Sequence, residues 1–209
     1  MFKRVLLLLF SVIGCGMGIA LTLKAGIGVA PYDAVSVGVS ELLNMKTGDI
    51  VVLLNFLLVL SQLIMKGKDF KPIQFLQMIV SIVMGWSINL FLYNLFGNIE
   101  VTNYLLRLLL FLLGQCICAI FICISLELRV ISFPLESTCM IISEKTKQSL
   151  GIVRQYADIV FVGISVIPTL AFKASLSLRE GSIISLVVFG PLLDIVKPYI
   201  IKLLNSFNI

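Results

Sequence analysis

Two aspartates lie within long apolar stretches, where an ionised side chain is costly. Asp158 stands seven residues after Gly151, and Asp194 follows a run of thirteen uncharged residues that begins at Gly181. An acid held at membrane depth faces a partner or a water-filled cavity, and such acids often belong to proton relays or ion pathways. Asp158 and Asp194 are therefore candidates for a proton or ion pathway.

Each of these aspartates also has a basic neighbour at helical spacing. Arg154 precedes Asp158 by four residues, and Lys197 follows Asp194 by three. Residues three or four apart are neighbours on a helix surface, so both acids can instead form ion pairs near an inner helix end. Spacing alone leaves the pathway and the ion pairs open.

The composition indicates an integral membrane protein. Of the 209 residues, 59% are hydrophobic and only 13% are charged, and the mean hydropathy is +1.11. An average soluble domain is about a quarter charged. The chain has no histidine, which excludes histidine acid–base chemistry, histidine metal sites and Ser/His/Asp or Cys/His catalysis.

The cysteines are interpreted as small buried apolar residues rather than metal ligands. They lie in apolar or membrane-adjacent stretches without the spacing of a disulfide framework or a zinc site, at Cys15, Cys116, Cys118, Cys123 and Cys139. We expect no metal and no cofactor.

Six stretches are long enough to cross a membrane, which takes about 20 apolar residues. They cover residues 5–23, 50–65, 73–95, 108–126, about 151–172 and about 177–193, the last continuing past Asp194. The sequence therefore predicts an all-α protein with six transmembrane helices.

Two shorter segments, 30–43 and 133–143, have a proline as their second residue and an acid two residues after it. Pro31 with Asp33, and Pro134 with Glu136, are typical of helix starts, and we expect two re-entrant or interfacial helices. The acids either stabilise these helix N-termini or face a ligand. Tyr32 either lines a site or anchors the chain at the membrane interface.

Basic residues indicate that both termini lie in the cytoplasm, because cytoplasmic segments are enriched in lysine and arginine. This orientation places eleven basic residues inside and five outside, the outer ones being Lys24, Lys46, Arg107, Lys173 and Arg179. The net charge of +5 then needs no nucleic acid partner. Residues 12–15 also resemble a lipoprotein cleavage site at Cys15, but the apolar run continues past it, which favours a span.

The chain repeats itself at an offset of 103, which shifts to 105 in the loop after the second span of each half. The matched pairs are Pro31 with Pro134, Asp33 with Glu136, Asn55 with Asp158, Gly85 with Gly190 and Asn89 with Asp194. We expect a single transmembrane domain made of two repeats, about 1–99 and 100–209. Each has three spans, an odd number, so the repeats would be inverted in the membrane, as in many secondary transporters.

The predicted solute or ion pathway combines the intramembrane polar residues with the starts of the short helices. It comprises Asp158, Asp194, Asn55, Asn89, Asp33, Glu136, Pro31, Pro134 and Tyr32.

The glycine and proline pattern resembles the YczE/YyaS/YitT family of bacterial integral membrane proteins. The resemblance rests on Gly16, Gly18, Gly26 and Gly28 before Ala30-Pro31-Tyr32-Asp33, on Thr47-Gly48, and on Gly181-Ser182 with Gly190-Pro191-Leu-Leu-Asp194. It covers nearly the whole chain and implies a multi-pass protein of a bacterial inner membrane. The family is largely uncharacterised and implies no substrate or catalytic residues.

The leading hypothesis is a secondary transporter of a small solute or ion, coupled to protons through Asp158 and Asp194, and not an enzyme. The alternative is a substrate-binding or accessory subunit, or a scaffold, of a larger membrane complex. A homo-oligomer or a partner membrane subunit is a further expectation. A remote alternative is an intramembrane aspartyl hydrolase, in which Asp158 and Asp194 would share a proton. The expected partners are the lipid bilayer and an unidentified solute or ion, and no phosphate-binding loop is present.

Overall fold

The computed structural model describes residues 2–172 and 178–206, and over these ranges the chain is helical without any strand. Eight α-helices lie in the described ranges: α1 Phe2–Ala25, α2 Pro31–Leu43, α3 Thr47–Lys66, α4 Gln77–Asn89, α5 Tyr104–Glu127, α6 Pro134–Thr146, α7 Leu150–Phe172 and α8 Glu180–Ser206. A 3-10 turn, Pro72–Leu76, precedes α4, and a π-helical turn, Leu90–Leu95, extends it.

Six helical segments are long and apolar enough to cross a membrane, which confirms the predicted spans and fits a multi-pass membrane protein. They are α1, α3, α5, α7, α8 and the continuous segment Pro72–Leu95. The predicted start of the last span, Ser177, lies outside the described residues. As predicted, α8 continues past Asp194.

The two short segments are helices of thirteen residues each, α2 and α6. Their first residues, Pro31 and Pro134, suit a helix start because the first helical N–H has no partner within the helix. Thirteen residues rise about 20 Å, which is too short for a hydrocarbon layer of about 30 Å. Both helices pack inside the bundle, where each contacts α3 and α7.

Glycines allow the long helices to approach closely. A side chain built at Gly190 of α8 would place its Cβ 2.6 Å from the carbonyl oxygen of Gly151 in α7. A Cβ built at Gly151 would likewise lie 2.6 Å from the carbonyl oxygen of Gly190. Gly48 of α3 and Gly85 of α4 face each other in the same way. Small residues at such contacts are typical of membrane helix packing.

Four of the five cysteines are buried, as expected, but Cys116 is exposed. Cys116 lies two residues from the buried Cys118 on α5, which turns it about 200° to the outward face of the helix. Cys15 is buried in the middle of α1, where its carbonyl accepts a hydrogen bond from Cys118 Sγ at 3.6 Å.

Candidate functional site

A cavity lies at the centre of the bundle, beside the first turns of α2 and α6. Its volume, measured as the space open to the centres of water molecules, is about 50 Å³. All eight helices contribute to its lining, and its polar side chains are Thr22, Tyr32, Asp33, Asn55, Gln115, Glu136 and Arg154. Helix N-termini carry a partial positive charge, so the cavity adjoins two such ends.

Arg154 joins two buried acids beside this cavity. Its Nη1 donates to Glu136 Oε1 at 2.6 Å, and its Nε donates to Asp158 Oδ1 at 3.2 Å. Its guanidinium carbon lies 5.2 Å from the centroid of the Phe189 ring, within reach of a cation–π interaction. The ion pair between Arg154 and Asp158 is confirmed, and the contact with Glu136 ties α7 to the first turn of α6.

Asp33 also faces the cavity, but its carboxylate has no hydrogen-bond or ion-pair partner within the described ranges. It is 6% exposed. Burial raises the pKa of the Asp33 carboxyl to about 7, against the attraction of Arg154. Burial likewise raises the pKa of Glu136, opposed by its contact with Arg154. Both acids belong to the short helices, outside the six spans.

The acids of this region outnumber the arginine. Within the described ranges Asp33, Glu136 and Asp158 share the guanidinium of Arg154, and Asp158 Oδ2 is buried there without a hydrogen-bond partner. Since charged groups buried without partners are costly, the region is suited to take up protons or a cation.

Tyr32 and Asn55 form a polar pair at the cavity. The Tyr32 hydroxyl donates to Asn55 Oδ1 at 2.9 Å. The Tyr32 ring packs edge to face against the Phe161 ring, with the ring centroids 5.2 Å apart. This bond joins α2 to α3 and holds the Tyr32 oxygen at the cavity wall.

Three buried glutamines were missed by the sequence analysis. Gln115 lines the cavity and donates to Ser185 Oγ at 3.1 Å. Gln62 and Gln77 exchange two amide hydrogen bonds of 3.0 Å, and Gln62 Nε2 also lies 3.0 Å from the Pro134 carbonyl oxygen. Uncharged amides inside apolar stretches were the available signal, because a buried amide needs a hydrogen-bond partner.

Asp194 does not line the cavity. Its Oδ2 accepts from Ser149 Oγ at 2.9 Å and its Oδ1 accepts from Gly151 N at 3.2 Å, at the start of α7. The predicted ion pair between Asp194 and Lys197 is not found in the described part of the chain. Lys197 Nζ instead lies 3.8 Å from Glu127 Oε1. Asp158 lies seven residues beyond Gly151, about 10 Å along the helix, so Asp158 and Asp194 do not share a proton here.

Asn89 has a place similar to that of Asp194. Its Oδ1 accepts from Gly48 N at 2.9 Å at the start of α3, and its Nδ2 donates to Asp49 Oδ1 at 2.9 Å. The cavity thus collects Tyr32, Asp33, Asn55 and Glu136 from the predicted set. Pro31 and Pro134 begin the helices that carry three of these four, and Asp158 is connected to the cavity through Arg154.

Removing the cap at α7 tests this assignment of Asp194. We expect Asp194→Ala to lower the free energy of unfolding by about 1 kcal/mol, the usual value of a helix cap, which would lower Tm by about 2–4 °C in a protein of this size. Asp194→Asn keeps an acceptor oxygen and should melt close to the wild type. Equal loss in both variants would show that the negative charge, not the cap, is what matters.

Comparisons with known proteins extend over nearly the same residues. The model of a family of unknown function, DUF6198, matches residues 2–198. The chain is also 27% identical over 192 residues to the uncharacterized protein YyaS of Bacillus subtilis (strain 168), which covers 92% of this chain and 91% of that protein. No solved structure matches the chain. These matches confirm the family resemblance drawn from the glycine and proline pattern.

Proposed function

The chain belongs to the DUF6198 family, and from its central cavity we propose that it is a proton-coupled secondary transporter of a small solute or ion. The observation that carries the proposal is a buried cavity that all eight described helices line and that holds a carboxylate with no partner among the described residues. Transporters commonly bind their substrates near the middle of the membrane at the ends of short or broken helices. We place the protein in a bacterial inner membrane, with both termini in the cytoplasm, and assign it no enzymatic activity.

Matching contacts in the two halves support inverted repeats, about 1–99 and 100–209. The Asn89 side chain accepts from Gly48 N, and the Asp194 side chain accepts from Gly151 N. In each half the second and third spanning helices also meet through a pair of glycines, α3 with α4 in the first half and α7 with α8 in the second. With three spans per half, α2 and α6 would then be re-entrant helices that enter from opposite sides of the membrane.

Arg154 and Asp158 are the proposed coupling pair. Protonation of Asp158 removes its negative charge, so its attraction for the Arg154 guanidinium falls. Arg154 lines the cavity and also holds Glu136 at the start of α6. A proton taken up at Asp158 therefore alters the charge that faces the solute and leaves Glu136 as the anion that Arg154 contacts, across the boundary between α7 and α6.

Transport by purified protein in liposomes tests the proposal. Vesicles that contain a pH-sensitive dye would receive an imposed pH gradient and a panel of small cationic, anionic, zwitterionic and neutral solutes. We expect one solute class to move protons in vesicles with protein but not in empty ones. Asp158→Asn should lower this solute-dependent proton flux at least tenfold, because asparagine cannot release a proton.

Asp69→Asn is the matched control, since Asp69 is an exposed acid outside the cavity. Its flux should equal that of the wild type. Undiminished proton flux in Asp158→Asn would reject Asp158 as the coupling group. If protein vesicles behave like empty ones across the whole panel, the carrier function is wrong.

A further inference from the structure

We infer that the central cavity binds a small organic cation, whose ammonium group contacts the Asp33 carboxylate. The inference names the substrate class of the transporter proposed above and rests on that function. It is carried by three features of the cavity: its unbalanced charge, the chemistry of its wall and its size.

The charge balance leaves one acid for a ligand. Arg154 contacts both Glu136 and Asp158, whereas no side chain or backbone group of the described residues pairs with Asp33. Asp33 is more than nine-tenths buried and lines the cavity. The N-terminus of α2 offsets part of its charge, but a full positive charge is needed for the cost of burial to be met. An anionic ligand would add to the excess of acids.

The wall favours an alkylammonium group over a bare metal ion. Besides its charged groups the cavity offers the Tyr32 hydroxyl and the Asn55 and Gln115 amides, while the rest of its lining is mainly apolar: Cys15, Ile19, Ala30, Val51, Met84, Cys118, Ile122, Phe133, Leu135 and Phe189. Calcium and magnesium ions take six or more oxygen ligands, which a wall of this composition does not supply. An ammonium group needs only a few acceptors, and its alkyl chain can lie against the apolar side.

The size of the cavity limits the length of that chain. The cavity volume of about 50 Å³ holds about three to five water molecules, since each needs about 10–15 Å³ on this measure. An ammonium group with one or two carbons matches this volume. The structure therefore assigns the cavity to a short primary amine in its protonated form.

Thermal unfolding of the full chain in detergent tests the inference without requiring transport. Ethylammonium chloride, sodium chloride, sodium acetate and ethanol would be titrated at pH 8, and the rise in Tm gives an apparent Kd because a ligand that binds the folded state stabilises it. We expect ethylammonium to bind at least tenfold more tightly than acetate, ethanol or sodium. Equal or tighter binding of acetate or sodium would overturn the inference, and this comparison needs only the wild type.

Variants locate the site. Asp33→Asn should weaken ethylammonium binding at least tenfold, and Asp69→Asn should leave it unchanged. Ethylammonium binding that is unaffected in a folded Asp33→Asn protein would overturn the assignment to Asp33. Selective ethylammonium binding without any transport in vesicles would support the cation site and reject the carrier, whereas transport of another solute class without ethylammonium binding would support the carrier and reject the cation site.

Discussion

Replacing Arg154 with methionine is expected to lower the free energy of unfolding by about 3–5 kcal/mol, the usual cost of removing one partner from a buried ion pair. The guanidinium holds Glu136 at 2.6 Å and Asp158 at 3.2 Å. Without it, two buried acids lie near Asp33 with no positive charge between them. In a chain of this length the loss corresponds to a fall in Tm on the order of 10 °C, which heating followed by size-exclusion chromatography in detergent would measure.

Arg129→Met is the matched control, because Arg129 is exposed and has no ion-pair partner in the described structure. Its Tm should stay close to that of the wild type. A triple variant, Arg154→Met with Glu136→Gln and Asp158→Asn, removes the charges together and should recover much of the lost stability, since a buried ion pair can often be replaced by neutral residues. If Arg154→Met melts like Arg129→Met, the buried ion pairs contribute nothing to stability.

The helices could be predicted because their signals are local. Long uncharged runs identify spans whatever they pack against, and the six spans were confirmed. The starts of α2 and α6 could be assigned to single residues, since Pro31 and Pro134 suit the first helical position for a reason that lies within the backbone itself. The inverted arrangement of the halves stays a prediction, because it concerns the membrane that surrounds the chain.

The site could be predicted only where its contacts are local. Arg154 and Asp158 lie one helical turn apart, so their pairing follows from spacing. The contact between Arg154 and Glu136 joins two helices, and no spacing rule gives it. Before the fold is known, Asp33 and Glu136 look alike, as acids in the first turns of similar helices. The position of Arg154 pairs Glu136 and leaves Asp33 without a partner among the described residues.

Asp194 shows how an acid in an apolar stretch can mislead. Its place in the sequence indicated a deep pathway residue, yet it lies at the start of α7. The reason is the close contact between Gly190 and Gly151, which brings α8 against the beginning of α7. One turn after Gly190, the side chain of Asp194 reaches Ser149 and the backbone N–H of Gly151. The position of an acid along its own helix therefore does not show what the acid contacts, because that depends on where the neighbouring helix begins.

The same glycine contact carries the second large effect, since Gly190→Ala is expected to destabilise the protein by about 1–3 kcal/mol, the usual cost of overpacking. The new Cβ would lie 2.6 Å from the Gly151 carbonyl oxygen and 2.7 Å from Gln155 Cγ. The side chain of Gln155 can move, but the backbone of α7 cannot without shifting the helix. That shift would also lengthen the bonds from Asp194 to Ser149 and Gly151.

Gly163→Ala is the matched control in α7, because a Cβ at Gly163 meets no atom of the described structure within 4 Å. Alanine is also the better helix former, so Gly163→Ala should melt at or above the wild-type temperature while Gly190→Ala melts below it. Combining Gly190→Ala with Asp194→Ala distinguishes the stability lost to the steric clash from the stability lost with the helix cap. If the helices separate, the cap is already weakened in Gly190→Ala, and the double variant should lose less than the sum of the two single effects. Strict additivity would show that Asp194 keeps its contacts and that α7 and α8 do not move apart.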